Sequence, residues 1–117
     1  MTSSPRTARM NDLIRAELSE LIRRKVKDPR VASVSVTAVS TSADFSRARV
    51  KVALLDDAKM PEALKGLAHA SGFLRSELSR RLQVKRVPEL LFEEDHSVRD
   101  ETRMDELWNL LEREERS

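Results

Sequence analysis

The sequence predicts a two-layer α+β domain, with helices on one side of a three-stranded sheet, and three observations carry that prediction. Apolar residues recur at helical spacing over 13–26 and again over 64–82. Three short extended runs, 31–42, 46–55 and 88–95, lie between and after those segments. The chain has 117 residues, enough for one modest core but small for two.

Each element has its own signature. Ser4 precedes Pro5 as an N-cap precedes a proline at the first helical position. Leu13, Ile14, Leu18, Leu21, Ile22 and Val26 then form one apolar stripe, and Pro29 is expected to end the helix by disfavouring helical geometry at Asp28. The next run, VASVSVTAVSTS, alternates, with Val34, Val36 and Ala38 on one face. A polar turn around Ser42-Ala43-Asp44 joins it to SRARVKVALL, where Ala48, Val50, Val52 and Leu54 alternate with Arg47, Arg49 and Lys51. The two runs read as an antiparallel hairpin whose second strand turns three cations outward.

Pro61 opens a second helical region, in which Leu64, Leu67, Ser71, Leu74, Leu78 and Leu82 keep helical spacing straight through Gly72. A glycine inside a helix costs roughly 1 kcal/mol relative to alanine, so the segment reads as one kinked helix or as two short helices meeting there. Pro88 starts a third, mostly buried strand around Leu90, Leu91 and Phe92. Met104, Leu107, Trp108 and Leu111 form an amphipathic C-terminal helix, read as core packing with a partner-helix role as the alternative. The expected organisation is a domain over 1–96 with an acidic helix or tail, 97–117, packed on it or flanking it.

Composition removes several function classes. There are no cysteines, which excludes disulfides, thiolate metal sites and cysteine nucleophiles. His69 and His96 sit in no metal-ligand or catalytic spacing, and no phosphate-loop or dinucleotide pattern is present. The expectation is therefore a binding protein, with no catalytic residues, metal, cofactor or small-molecule substrate. No apolar run approaches the ~20 residues that span a bilayer, and MTSSPRTARM lacks the hydrophobic region of a secretory signal. A cytoplasmic protein without a membrane partner is expected, and without a coiled-coil pattern, a monomer. Three Phe, one Trp and no Tyr argue against the aromatic platforms that stack single-stranded bases.

The net charge of +2 conceals an asymmetry. Residues 1–92 carry 18 Lys and Arg against 10 Asp and Glu, whereas 93–117 carry 4 against 10. A body so basic suggests a polyanionic partner, with ordinary surface charge as the alternative. Arg23, Arg24, Lys25, Lys27 and Arg30 follow the first helix; one or two of them complement its dipole, but Arg30 lies beyond it. Arg47, Arg49 and Lys51 either contact phosphate, face solvent or protect an edge strand. Arg75, Ser76, Arg80, Arg81, Lys85 and Arg86 follow Gly72. A break at Gly72 would begin a new helix whose free N–H groups hold phosphate. A helix–Gly–helix followed by cations is the logic of a KH domain, whose GxxG loop clamps the nucleic-acid backbone.

These segments together resemble the ribosome-binding factor A family, assembly factors of the bacterial small ribosomal subunit. The resemblance is carried by Ala70-Ser71-Gly72 with Phe73-Leu74-Arg75, and by Val26-Lys27-Asp28-Pro29-Arg30. Asp44 with Ala48-Arg49-Val50, and Pro88-Glu89-Leu90 with Phe92 and Asp95, extend it. It implies a KH-like (type II) fold in which an Ala-x-Gly kink replaces the GxxG loop, so that Ala70, Ser71 and Gly72 join the cations above as RNA contacts. It also implies a non-enzymatic factor that binds 16S rRNA within free 30S subunits, promotes late 16S rRNA processing and supports growth in the cold. The residues themselves leave two rivals. One is a protein-interaction adaptor using the acidic C-terminal helix; the other is a DNA-binding KH-like protein, although 73–86 supplies arginines and only Gln83 among amide side chains.

Overall fold

The computed structural model describes residues 5–96, and its core forms where two helical stripes meet one face of a sheet. The first helix, α1 (Pro5–Arg24), buries Thr7, Ile14, Leu18, Leu21 and Ile22. Leu13, expected in the same stripe, is 45% exposed, because adjacent residues point about 100° apart around a helix. The helix also ends sooner than Pro29 requires. The N–H groups of Lys25 and Val26 both bond to the Leu21 carbonyl, at 2.8 and 3.2 Å, and close it at Arg24. Pro29 instead opens a short 3-10 turn (Pro29–Val31), which Asp28 caps by accepting from the Arg30 N–H. That turn drops Val31 into the core, where it is fully buried.

Strands β1 (Ser35–Thr41) and β2 (Arg47–Ala53) form the antiparallel hairpin. Its turn is organised by Asp44, whose Oδ1 accepts from Ser46 Oγ at 2.7 Å, Ser42 Oγ at 2.8 Å and the Ser46 N–H at 3.1 Å. Those bonds, led by the Ser46 and Ser42 hydroxyls, lower its pKa to about 2. β2 alternates as predicted, with Ala48, Val50 and Val52 fully buried. β1 departs from prediction. A bulge between Val36 and Ala38 leaves Thr37 without a register partner on β2. Past the bulge the inward positions become Val39 and Thr41, and Ala38 is exposed.

The second helix, α2 (Met60–Leu82), leads from β2 to β3 (Glu89–Glu94), which lies parallel to β2. The strand order β1-β2-β3 makes β2 central, which removes edge protection as the reason for its three cations. Leu67, Leu74 and Leu78 of α2 share the core with Ile14, Leu18 and Leu21 of α1 and with Val50 and Val52 of the sheet. Burying each such side chain contributes about 1.5–3 kcal/mol.

α2 is a single helix of 23 residues running unbroken through Gly72. The two-helix reading therefore falls, and with it the idea of a fresh helix N-terminus at that glycine. Leu67 before it and Leu74 and Leu78 after it are all anchored in the core, and their burial outweighs the roughly 1 kcal/mol that glycine costs. The helix stops at Gln83, left-handed with φ 54°, where the Val84 N–H returns to the Ser79 carbonyl at 3.2 Å. The expected helix of Met104, Leu107, Trp108 and Leu111, and the acidic segment 97–117, lie outside the described residues, as does Ser4. Among the described residues no helix is long and apolar enough to cross a membrane.

Candidate nucleic-acid interface

The site begins with Gly66. A Cβ at this position would lie 2.9 Å from Val31 Cγ1, 3.2 Å from Asp28 Oδ2 and 3.4 Å from Arg30 Cβ. A bare backbone here lets the segment after α1 sit directly on the middle of α2. Around the junction Lys25, Val26, Lys27 and Asp28 face Gly66, His69, Ala70 and Phe73 across an open cleft of about 310 Å³. Gly72 is different: a Cβ there would meet nothing within 4 Å. It is exposed, three residues after His69 and four before Ser76 and so on their side of α2, with the exposed Phe73 next in sequence. The Ala70-Ser71-Gly72 stretch is thus part of an intact helix that presents bare backbone to solvent at Gly72.

Electrostatics sort the cations into those already engaged and those facing outward. Arg30 forks onto Asp28, with Nη2 to Oδ2 at 2.6 Å and Nε to both carboxylate oxygens at 3.0 and 3.1 Å. This bonding, together with the Arg30 backbone N–H, holds the Asp28 carboxyl below the usual carboxylate range. The same Nη2 lies 3.2 Å from His69 Nδ1. Arg75 donates to the Val87 carbonyl at 2.9 Å and so fixes the entry to β3. Arg81 ties α2 to α1 through Glu17 at 2.9 Å and Glu20 at 3.6 Å, and Arg80 pairs with Glu77. By contrast Arg23, Arg24, Lys25 and Lys27 are exposed and pair with no carboxylate among the described residues, as is true of Lys85 and Arg86 before β3.

The remaining predicted contacts lie on the other face of the sheet. Arg47, Arg49 and Lys51 point away from the helices, and the neighbouring strand places Glu89 beside Arg47 and Glu93 beside Lys51. Arg49 bonds to Glu93 at 3.1 Å. Carboxylates are interleaved there, whereas the rim of the cleft presents Lys25 and Lys27 with its one lining carboxylate, Asp28, already neutralised by Arg30.

The structure thus joins Lys25, Lys27 and Ala70 in one recess and leaves Arg47, Arg49 and Lys51 on another face. It adds Gly66, His69 and Phe73, none of which the sequence placed among the contacts. One signal was available. Phe73 falls outside the Leu67, Leu74, Leu78 stripe, so helical periodicity already places it on the exposed side.

The profile of the family described as ribosome-binding factor A matches residues 6–108. The chain belongs to the ribosome-binding factor A family. A ribosome-binding factor A from Syntrophus aciditrophicus (strain SB) is 40% identical over 116 residues, covering 98% of this chain and 94% of that protein. The crystal structure of ribosome-binding factor A from Thermus thermophilus superposes with a TM-score of 0.68 at 31% identity, covering 75% of this chain and 94% of the other. A homology model of the Thermus thermophilus ribosome binding factor A, fitted into a cryo-electron microscopy map of a 30S complex, is also similar. Its TM-score is 0.54 at 28% identity, over 72% of this chain and 93% of the other. In this member of the ribosome-binding factor A family, Ala70 of the motif Ala70-Ser71-Gly72 lines a cleft whose rim carries Lys25 and Lys27.

Proposed function

We propose that this protein is a non-enzymatic assembly factor that binds the free 30S ribosomal subunit through its 16S rRNA. On this reading it promotes late processing of that rRNA, supports growth in the cold and acts as a cytoplasmic monomer. Family membership and the relative fitted into a 30S complex support the choice of partner. The observation that carries the rRNA contact is the cleft beside α2, where Lys25 and Lys27 stand unneutralised across from Gly66, His69, Ala70 and Phe73. The domain then works as a KH-like variant. An intact helix with bare backbone at Gly72 brings the RNA backbone close, as a GxxG loop does elsewhere. Arg23 and Arg24 widen the footprint along the end of α1, and Lys85 and Arg86 supply further phosphate contacts.

Sedimentation of the tagged full chain in a bacterial lysate tests this reading. The protein should travel with free small subunits, be absent from translating ribosomes, and dissociate as salt rises. Lys25→Ala with Lys27→Ala should flatten the salt dependence by about one unit per lost phosphate contact. A protein that stays at the top of the gradient at low salt would sink the assignment. Binding that survives RNase and ignores ionic strength would point to an adaptor instead.

A further inference from the structure

We propose that the cleft between residues 25–28 and α2 holds one unstacked nucleotide of single-stranded RNA, with its base against Phe73 and its flanking phosphates on Lys25 and Lys27. This rests on the RNA-binding reading above and adds the conformation of the ligand.

Phe73 is the starting point. It is 45% exposed, while Leu74 beside it is fully buried. Its place on α2 is outside the buried stripe, so core packing does not account for an aromatic side chain there. It lines a recess with Val26, Gly66 and Ala70, an apolar set that suits the face of a base. A volume of about 310 Å³ is at the lower end of sites that hold a small ligand. A base-paired helix keeps its bases stacked and offers no free face to such a recess; an unpaired strand does.

The polar groups converge on the same occupant. A guanidinium only donates, so Arg30 Nη2, at 3.2 Å, makes His69 Nδ1 the acceptor and leaves the ring proton on Nε2. Asp28 fixes that guanidinium from behind, which makes Arg30 a positioning residue and His69 a donor for a base edge or a phosphate oxygen. Asp28 would otherwise repel a phosphate, but its charge is taken up by Arg30. The positive charge left at the rim is that of Lys25 and Lys27. An aromatic face, one oriented N–H and two cations suit a nucleotide of any sequence, because every base has a face to stack.

The test uses the full chain and two fluorescein-labelled RNAs carrying the same number of phosphates, an unstructured single strand and a blunt hairpin duplex, followed by fluorescence polarisation. Wild-type protein should prefer the single strand. Phe73→Leu keeps an apolar side chain at a half-exposed position; it should weaken single-strand binding about tenfold and leave duplex binding and the salt slope unchanged. Phe73→Trp should retain the preference. Unchanged single-strand affinity in folded Phe73→Leu, equal losses on both RNAs, or wild-type protein that binds both equally or neither would each overturn the proposal. Sedimentation separates the two levels of failure. If wild-type protein still travels with free small subunits, the stacked nucleotide falls and the ribosomal reading stands; if it does not, both fall.

Discussion

Gly66 and Gly72 occupy the same helix for opposite reasons. At Gly66 the neighbouring segment is so close that a methyl group would collide with Val31 and crowd Asp28 and Arg30. At Gly72 a methyl group would reach open space. The first glycine is required by packing inside the molecule. The second is tolerated by the fold, which leaves its reason to the surface and to whatever approaches it. In the sequence Gly72 stands out because it interrupts a run of helix formers and closes the family motif Ala70-Ser71-Gly72. Gly66 is the one that shapes the site, since it lets the Lys25–Asp28 segment lie against α2 and form the cleft.

The contrast can be broken experimentally. Gly66→Leu should have the largest effect, destabilising the domain by about 3 kcal/mol through overpacking against Val31, as read by urea unfolding. A wild-type midpoint would mean that the 28–31 turn is not held against the helix. Next in size, Gly66→Ala should cost about 1 kcal/mol, the clash being partly offset by better helix propensity. Because Val31 Cγ1 is the nearest atom, that cost should shrink in a Val31→Ala background; a cycle with no coupling would place the strain elsewhere. Gly72→Ala should go the other way and raise stability by about 0.5–1 kcal/mol. Loss of stability there would mean that the exposed side of α2 is covered by another part of the protein.

The smallest effect concerns the clamp that holds the segment over Gly66. Arg30 lowers the Asp28 pKa from its ordinary value of 3.8, so the carboxylate's stabilising contribution is complete above that value. It is lost as pH falls through the lower value of the folded state. Asp28→Asn should therefore lower the melting temperature most at neutral pH, where the carboxylate's contribution is complete, and converge with wild type as pH falls below about 4, flattening the acid limb of a pH series of thermal melts. An acid limb identical to wild type would show that packing at Val31, rather than this ion pair, holds the turn.

Much of the fold was legible wherever one simple period governs an element. β2 reads correctly because it is central, with Ala48, Val50 and Val52 turned to the helices and Arg47, Arg49 and Lys51 to the other side. α1 and α2 read correctly in most of their buried stripes; the exceptions are Leu13, which is exposed, and Val26, which lies beyond the end of α1 and lines the cleft. β1 fails past Val36, because a single bulged residue, Thr37, reverses the faces and nothing in an alternating run marks where a bulge falls. The end of α1 fails for a related reason. Pro29 marks where a helix cannot continue, yet the chain turns at Lys25 so that Val31 can reach the core.

The site divides in the same way. Residue types alone identified an excess of cations and a motif around Gly72; these suggested a polyanionic partner, and the expectation of rRNA came from the family resemblance. They did not show which guanidiniums are occupied. Arg30, Arg75 and Arg81 each engage a partner that the fold supplies: Asp28 across the short turn, the Val87 carbonyl at the entry to β3, and Glu17 on the other helix.

By itself the sequence determined the α+β class, the buried helix stripes, the alternation of the second strand and the excess of cations over residues 1–92. Each follows from local periodicity or from counting, and none needs a neighbour distant in the chain. Only the tertiary structure decided that α2 continues through Gly72, that Gly66 receives the turn after α1, and that Lys25, Lys27, His69 and Phe73 share one cleft. Those outcomes depend on which surfaces compete for burial once the chain is folded, and that competition is settled between residues far apart in sequence.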